Sequence, residues 1–344
     1  MASHKRLIPY LAVFTALSAL ILGSTPITPA RADQPVKIAI AYDVGGRGDR
    51  AANDAVAMGV DLAKKNLKLT SLDIREMVTD GTEKDRSRRL RFLANAGYTT
   101  IIAVGSGYEN AVNTVSMEFP DLSFSIIDDG KISNLNVESL IFDAQQGAYL
   151  AGVLAASASK TNKVGFVGDV SFESSPAQGA AFVQGAKSIK PKIDATITIP
   201  LMDSPATALS TMHSKGVDVV YSNWERNSSL LAAMIALNSK AHPFRLIGVL
   251  PDQYWLQSSA SKAILIGAFT KHLETAAYDA IWYARKGQTF GTVLSENPNI
   301  YGKLYTLTDA GIGMALVGEG QNYSATIKAV SAVLKSGKIK IASF

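Results

Sequence analysis

The sequence predicts an α/β protein made of two doubly wound lobes, each built on a parallel sheet. Short β-branched runs alternate with segments of helical period along most of the 344 residues. Strands such as 101–104 (IIAV) are apolar at consecutive positions, which is typical of parallel strands covered on both faces. One strand–helix series begins at Val36 and a second at Lys163, so we expect two sheets of similar size.

The first series alternates strands and helices in order along the chain. Its predicted strands are 36–41, 71–77, 99–104, 123–127 and 137–141. Its predicted helices are 51–66, 83–96, 109–119 and 145–159. Gly97 ends the second helix, and Pro120 ends the third because proline cannot continue a helix. Gly147 and Gly152 lie among many alanines, so we expect the fourth helix to pack closely against a neighbour.

The second series repeats this rhythm. Its predicted strands are 164–167, 195–199, 217–221, 246–249 and 264–269. Its predicted helices are 176–189, one that begins at 204–205, 228–239, 271–285 and 323–335. Ser204 is a good cap and Pro205 a good first helical residue. The segment from Ile300 to the last helix is of mixed character.

The first 32 residues have the pattern of a cleaved export signal. Lys5 and Arg6 precede an apolar run at 7–22, and 30–32 (ARA) is a small-x-small cleavage site. The run is shorter than the roughly 20 residues that span a bilayer, although an N-terminal membrane anchor is the alternative. No cysteine follows it. We therefore expect a mature periplasmic chain that begins at Asp33 and is not lipidated.

Composition and charge exclude several classes of protein. The chain has no cysteine, which excludes disulfides, iron–sulfur clusters and cysteine nucleophiles. The formal net charge of +5 suggests nucleic acid as a partner, but three of the cations belong to the export signal. The densest basic stretch, 84–91, interleaves with Asp85 and has no aromatic residues for base stacking. This pattern favours a solvated helix face, and we expect no nucleic-acid partner.

The sequence lacks the common catalytic motifs. It has no P-loop, no His-Glu-x-x-His zinc motif and no Gly-x-Ser-x-Gly nucleophile motif. After the signal, the histidines are scattered at His213, His242 and His272, so we expect no metal site. The Gly-x-Gly sequences at 46–48 and 105–107 do not complete a dinucleotide fingerprint. We therefore expect a binding protein without a cofactor rather than an enzyme.

Polar residues and glycines follow most of the predicted strands. In doubly wound sheets, ligands bind outside the carboxyl ends of the strands. The residues at these positions are Asp43, 105–107, Asp128, Asp129, Asp169, Asn223, Trp224, Asp252 and Lys271. We expect the binding site among them.

Five stretches match a known family in their order along the chain. The loop 43–54 (DVGGRGDRAAND) is similar to the motif D-x-G-G-x-x-D-x-S-F-N. The other four are 102–108 (IAVGSGY), 119–128 (FPDLSFSIID), 147–152 (GAYLAG) and 163–168 (KVGFVG). Together they resemble the basic membrane protein family, the nucleoside-binding solute receptors of ABC importers.

This resemblance implies the type I periplasmic-binding-protein fold, with two lobes joined by three hinge segments and a ligand held between them. The expected N-terminal lobe comprises 33–142 and 272–304. The expected C-terminal lobe comprises 143–271 and 305–344. The expected partners are a small-molecule ligand and an ABC permease of the inner membrane, and we expect the protein to be a monomer.

The resemblance also implies individual binding residues. Asp43, Asn53 and Asp128 match the polar ligand contacts of the first lobe. Lys271 matches a lysine that holds ribose hydroxyls, and Asp252 matches the end of the family's V-D-S-D-Q stretch. This chemistry suits a purine, because a carboxylate and an Asn amide can read its ring nitrogens and exocyclic group in pairs.

Aromatic side chains can hold a base by stacking. Trp224, just past a strand of the second lobe, and Tyr108 or Tyr42 are the candidates. Two departures from the family affect ligand identity: its Ser-Phe is Ala51-Ala52 here, and the first Asp of V-D-S-D-Q is Leu250. A free base, or another small polar ligand, is therefore an alternative to a nucleoside.

Three functions compete at this point. The leading hypothesis is a periplasmic solute-binding protein that delivers a purine nucleoside or nucleobase to an ABC permease. The second is a ligand-sensing receptor of the same fold that signals to a membrane protein. The third is an exported nucleoside-processing enzyme, although no aspartate cluster near the N-terminus suggests the calcium site of such enzymes.

Overall fold

The computed structural model of the chain describes residues 37–200, 205–224, 228–249, 258–290 and 301–341. The predicted export signal lies outside these residues, as do Leu250 and Asp252. The described residues form two six-stranded sheets, each with helices packed on both faces. The predicted α/β class with two doubly wound lobes is confirmed.

The first sheet is parallel throughout. Its strands are β1 (Ile38–Tyr42), β2 (Ile74–Val78), β3 (Thr100–Val104), β4 (Ser123–Ile127), β5 (Val137–Phe142) and β11 (Tyr301–Tyr305). Their order across the sheet is β11-β5-β4-β3-β1-β2. The chain leaves β1 and β3 in opposite directions, so the crevice for a ligand lies at the carboxyl ends of these two strands.

The second sheet repeats this order. Its strands are β6 (Lys163–Val167), β7 (Asp194–Thr198), β8 (Val219–Ser222), β9 (Arg245–Val249), β10 (Leu265–Lys271) and β12 (Ile312–Leu316). Their order is β12-β10-β9-β8-β6-β7, with β12 antiparallel to β10. The equivalent crevice lies at the carboxyl ends of β6 and β8.

Helices cover both faces of each sheet. They are α1 (Ala52–Leu67), α2 (Glu83–Asn95), α3 (Glu109–Glu118), α4 (Ala144–Ala158), α5 (Ser175–Ile189), α6 (Pro205–Ser214), α7 (Ser228–Leu237), α8 (Ser259–Ile264), α9 (Leu273–Arg285) and α10 (Ser324–Lys335). On the first sheet, α1 and α9 pack together on one face, and α2 and α3 on the other. On the second sheet, α4 packs against α5 and α10, whereas α6 and α7 cover the opposite face. None of the helices within the described residues is long and apolar enough to cross a bilayer.

Three connections carry the chain from one sheet to the other. They lie at Asp143 between β5 and α4, at His272 between β10 and α9, and at 306–311 between β11 and β12. The first is hydrogen-bonded to the end of β11, directly before the third, because the Asp143 amide donates to the Tyr305 carbonyl at 2.9 Å. The second and third are joined in the same way by His272 and Gly311, also at 2.9 Å. Three adjacent connections form a hinge of the predicted kind.

Most predicted elements agree with the structure to within three residues, but the last third of the chain holds differences. β11 and β12 were not predicted, because β11 (YGKLY) has no β-branched residue and β12 (IGMAL) has only one. Tyr305, expected in the second lobe, is the last residue of β11 in the first sheet. Lys271 is the last residue of β10 and not the first residue of a helix, since α9 begins at Leu273.

Helices α4 and α5 approach each other through glycines, as the sequence predicts for α4. A Cβ atom on Gly152 would lie 2.0 Å from the Phe182 carbonyl oxygen. A Cβ atom on Gly185 would lie 2.0 Å from the Tyr149 carbonyl oxygen. Any larger residue at either position would push the helix backbones apart.

Candidate functional site

The loop 43–54 follows β1 and is held by one buried amide. Asn53 is 2% exposed and makes four hydrogen bonds with its side chain. Its Oδ1 accepts from the Asp43 amide at 3.0 Å, and its Nδ2 donates to the Asp43 and Val44 carbonyls and to an Asp49 carboxylate oxygen. An amide offers two donors and one acceptor atom, so this side chain is occupied by the loop. Asn53 therefore positions Asp43, and a direct ligand contact by Asn53 would require the loop to open.

Two carboxylates fix the same loop onto the start of α1. Asp49 accepts from the backbone amides of Ala51, Asn53 and Asp54. Asp54 accepts from the Gly48 amide at 2.6 Å and from the Arg50 amide at 2.9 Å. Negative charge is favourable at a helix N-terminus, where backbone N–H groups have no partner within the helix. The loop is thus held to the start of α1 by both carboxylates.

Asp43 pairs with Arg86, which belongs to the basic stretch predicted to form a solvated helix face. The Arg86 Nη2 atom lies 2.6 Å from Asp43 Oδ1, and Nη1 donates to the Gly81 carbonyl at 2.8 Å. The Arg86 side chain is only 13% exposed. The expectation of a solvated face is therefore wrong for Arg86, although its neighbour Arg88 is 71% exposed.

The tyrosines proposed for stacking are enclosed in the first lobe. Tyr108 is fully buried and donates its hydroxyl to the Tyr42 carbonyl at 3.2 Å. Tyr42 is 1% exposed and donates its own hydroxyl to Glu76 at 2.9 Å. Burial and the nearby Asp43 charge raise the pKa of Tyr108, so its hydroxyl stays a donor. Neither ring presents a face to a ligand, and Tyr108 instead lies beneath the Arg86 guanidinium, 5.6 Å from its ring centroid.

Asp128 and Lys271 meet across the two sheets. Asp128 follows β4 in the first sheet, and Lys271 ends β10 in the second. The Lys271 Nζ atom lies 2.7 Å from Asp128 Oδ2, and the two side chains are 16% and 28% exposed. Asp128 has a φ of +67°, a left-handed conformation that Asp adopts more readily than most residues. Two predicted site residues, distant in sequence, thus form one ion pair between the lobes.

The two ion pairs lie on either side of β3. Asp43 follows β1 and Asp128 follows β4, and both strands flank β3 in the sheet. Two strand spacings correspond to roughly 10 Å between the backbones. The Gly105 amide, in the loop between them, donates to the Ile127 carbonyl at 2.9 Å. The loop after β3 therefore separates the two ion pairs.

The neighbouring carboxyl group, Asp129, is buried and differs from Asp128 in its environment. It is 5% exposed, and its Oδ1 accepts from the Lys131 amide at 3.0 Å. Burial raises the pKa of Asp129 to about 6, with a smaller contribution from Glu109. This group is a support for the loop after β4.

In the second lobe, a buried asparagine side chain also holds the loop that follows a strand. The Asn223 Oδ1 atom accepts from the Asp169 amide at 2.8 Å, and its Nδ2 donates to the Ser175 hydroxyl at 2.9 Å. Ser175, at the start of α5, donates to the Asp169 carbonyl. Asn223 is 4% exposed. A buried amide therefore ties the loop after β6 to its neighbours, as Asn53 does after β1.

Trp224 packs with the α6 and α7 side of the second lobe. It is 9% exposed and belongs to the core cluster that contains Leu209, Leu230 and Phe244. Its indole Nε1 atom is buried and has no hydrogen-bond partner among the described residues. The ring is therefore a core residue at the strand end, with one polar atom that the core does not satisfy.

The structure brings together part of the predicted site. Asp128 and Lys271 are in contact, and Asp43 lies on the same edge of the first sheet. Asn53 and Tyr108 support that edge from beneath it. Asp252 is outside the described residues. No group of three His, Asp or Glu side chains within the described part of the chain could hold a metal ion.

Comparison with known proteins identifies the family. Residues 36–343 match the family of ABC transporter substrate-binding proteins described as PnrA-like, or Bmp. The chain belongs to this family. The family predicted from the five sequence stretches is confirmed, and a Bmp-family protein is a substrate-binding protein rather than an enzyme.

Two relatives indicate how far the similarity of this Bmp-family chain extends. It is 29% identical over 270 residues to the ABC transporter nucleoside-binding protein BmpA of Lactococcus lactis, covering 75% of this chain and 77% of that protein. It is 32% identical over 191 residues to a CD4+ T-cell-stimulating antigen of Listeria monocytogenes, covering 54% of this chain and 53% of the antigen.

Solved structures of low identity share the fold of this Bmp-family chain. An ABC-transporter solute-binding protein from Conexibacter woesei superposes with a TM-score of 0.65 at 20% identity, covering 89% of this chain and 98% of that one. A solute-binding protein from Aeropyrum pernix gives a TM-score of 0.63 at 20% identity, covering 89% and 93%. The periplasmic-binding-protein fold is therefore confirmed.

Proposed function

We propose that this Bmp-family protein is the periplasmic receptor of an ABC importer, and that it binds a purine nucleoside or nucleobase between its lobes. The observation that carries the proposal is the contact of Asp128 with Lys271. It joins the carboxyl ends of the two sheets, where ligands of doubly wound sheets bind. The name of the Lactococcus lactis relative, a nucleoside-binding protein, supports the ligand class.

The chemistry of this pair suits vicinal hydroxyls. A carboxylate accepts hydrogen bonds and an ammonium donates them, so Asp128 and Lys271 can together satisfy two hydroxyls of a ribose. Each is part-buried, which strengthens its hydrogen bonds relative to those in water. In this proposal the ribose inserts beside the pair, where one hydroxyl donates to Asp128 and another accepts from Lys271.

The Asp43 carboxylate suits a donor on the base. Its Oδ1 is held by Arg86, and its Oδ2 lies near Gly107, where a Cβ atom would be 2.9 Å away. The absence of a side chain at Gly107 leaves room beside this oxygen for a ligand N–H. Trp224 and Asp252 remain proposed contacts from the second lobe.

An uncharged ligand suits the Asp43 side of the site. Asp43 is paired with Arg86, so this carboxylate brings little net charge to a ligand beside it. Burying a charged group there without a partner would be costly. Nucleosides and free bases carry no charge at neutral pH.

We also propose that the exported chain is a free periplasmic monomer that delivers its ligand to a permease. The pattern of the first 32 residues supports export, and the absence of cysteine supports a chain without a lipid anchor. Family relatives include a protein of Pyrococcus abyssi named as a lipoprotein. Metabolic labelling with a fatty acid, followed by cell fractionation, tests this point: a labelled, membrane-bound chain would contradict it.

The ligand proposal is tested on purified mature protein. Native mass spectrometry weighs any co-purified molecule, and calorimetry then measures adenosine, guanosine, inosine and the free bases. We expect at least one to bind, and Lys271→Ala and Asp128→Ala each to weaken it about tenfold or more. Lys335→Ala, on the exposed end of α10, is the control. Wild-type protein that binds none of these compounds would overturn the ligand class, and unchanged affinity in both variants would overturn the site.

A further inference from the structure

Arg86 differs from the other arginines of α2 in where it points. Arg88 and Arg89 pair with Asp85 on their own helix. Arg91 pairs with Glu118 of α3 and is 41% exposed. Arg86 instead reaches from α2 to the strand-end loop and contacts Asp43, 43 positions away in sequence. It is the member of the basic stretch that approaches the proposed ligand site.

The Arg86 guanidinium is fixed from three directions. Nη2 bonds Asp43 Oδ1 at 2.6 Å, and Nη1 bonds the Gly81 carbonyl at 2.8 Å. The plane lies over the ring of buried Tyr108, with 5.6 Å between the guanidinium carbon and the ring centroid. Gly107 makes room for this arrangement, because a Cβ atom there would be 2.8 Å from Nη2. The pair therefore has one orientation.

The pair is not needed to hold the loop. The Asp43 backbone is already fixed through its amide and carbonyl by Asn53. Arg86 Nε is buried without a hydrogen-bond partner among the described residues, which is unfavourable for stability. A contact that adds little to the loop and leaves a polar atom unsatisfied is better explained by what it does to the Asp43 carboxylate.

We propose that Arg86 is a positioning residue that sets the specificity of the site through Asp43. It occupies Oδ1, so that Asp43 offers the ligand one oxygen in one direction. It also cancels the Asp43 charge, so that the site selects a neutral hydrogen-bond donor and rejects a cation. This inference rests on the proposed function, because it needs a ligand that contacts Asp43.

A double-mutant cycle tests whether Arg86 acts through Asp43. Calorimetry on the full mature protein measures guanosine binding to the wild type, Arg86→Met, Asp43→Asn and the double variant. We expect Arg86→Met to weaken binding about tenfold, and to have no further effect once Asp43 is Asn. Arg91→Met, which removes an exposed ion pair from the same helix, is the control and should bind as the wild type does.

Charge selection gives a second readout that a structural role would not change. Guanosine is compared with its cationic N7-methyl derivative in mildly acidic buffer. Arg86→Met leaves Asp43 unpaired, so we expect the preference to shift towards the cation by about tenfold. Arg86→Lys keeps the positive charge and should restore the wild-type preference, while recovering only part of the affinity because lysine cannot form the two-pronged contact.

The outcomes separate this inference from the proposed function. If the wild type binds no nucleoside or base, the proposed function fails. If it binds but Arg86→Met has unchanged affinity and preference, the inference fails and the proposed function stands. Equal preference in Arg86→Met and Arg86→Lys, or additive losses in the double variant, would also overturn it. Should Arg86→Met not fold, Arg86→Lys and the near-isosteric Asp43→Asn carry the same comparison.

Discussion

The loop 43–54 should depend for its shape on one buried amide, which Asn53→Ala removes. Without that amide, the Asp43 N–H and the Val44 carbonyl lose a partner, whereas the Asp43 carbonyl still accepts from the Gly46 amide. A buried polar group left without a partner costs about 1–3 kcal/mol. Val44 is half exposed, so water can reach its carbonyl. We therefore expect the free energy of unfolding to fall by roughly 2 kcal/mol.

Asn53→Asp makes the same test sharper. The new carboxylate keeps the oxygen that accepts from the Asp43 amide, but it has no N–H to donate to the Val44 carbonyl. It also places a second negative charge where Nδ2 now lies 2.8 Å from Asp49 Oδ2. Two acceptors at that distance repel, so Asn53→Asp should destabilise the chain more than Asn53→Ala does.

Urea denaturation followed by circular dichroism measures both losses, with Asn66→Ala on the exposed side of α1 as the control. The same variants are then titrated with guanosine. Because Asn53 fixes the backbone of Asp43, affinity should fall about tenfold even where the protein remains folded. Asn53→Ala with the stability and affinity of Asn66→Ala would refute the reasoning, since the amide would then support neither the loop nor the site.

Three further substitutions test other parts of the molecule. Gly152→Ala should lower the free energy of unfolding by roughly 2 kcal/mol, because the new methyl group meets a carbonyl of α5. The control Lys187→Ala, on the exposed side of α5, should change it by less than about 0.5 kcal/mol. Equal melting temperatures of the two variants would contradict this prediction. Burial raises the pKa of Asp129 to about 6, so the folded chain holds a proton that the unfolded chain releases near pH 4. Stability should therefore fall as the pH rises from about 4 to about 6, and in Asp129→Asn this decrease should be absent from urea denaturation across that range. Burial alone would raise the pKa of Asp85, but its ion pairs, first with Arg89, hold it below its usual range. Its stabilisation is present above about pH 4 and is lost on acidification, so Asp85→Asn should be less stable at neutral pH and show a smaller further loss in acid.

The pattern of strands and helices was predictable because most strands are short runs of apolar, often β-branched residues and most helices show the helical period. Strand β3 (TIIAV) is buried at every position, which is why its sequence has no alternation. The end of the chain was harder. β11 has a buried glycine at Gly302 and a lysine at Lys303, and such a short mixed segment gains its strand geometry from pairing with β5.

The position of the candidate site at the strand ends was predictable from the alternation of strands and helices. Parallel strands bring their carboxyl ends to one edge, so Asp128 and Lys271 could be assigned to the site from topology and resemblance. Their contact at 2.7 Å depends on the packing of two lobes, which no local pattern contains. The burial of Tyr108 likewise depends on tertiary packing, because a tyrosine after a Gly-x-Gly turn fits either the core or a ligand pocket.

The sequence does contain a signal that Arg86 lies on the buried side of α2. Arg86 lies four residues before Leu90 and seven before Leu93, both of which are fully buried. Helical spacing therefore puts Arg86 on the apolar face of α2, while Arg88 and Arg91 fall on the other side. The net charge of residues 84–91 does not reveal this difference, because it is the same wherever the cations lie around the helix.

The arrangement of contacts separates what is fixed within a lobe from what joins the lobes. Asn53 and Arg86 hold Asp43 from within the first lobe, and Asn223 holds the loop after β6 from within the second. A rotation of the lobes about the three connections would leave these contacts unchanged. It would separate Lys271 from Asp128, whose 2.7 Å contact crosses between the sheets. Each half of the candidate site is thus organised within its own lobe. A change in the angle between the lobes would act on Asp128 and Lys271, the two groups that the ligand is proposed to contact.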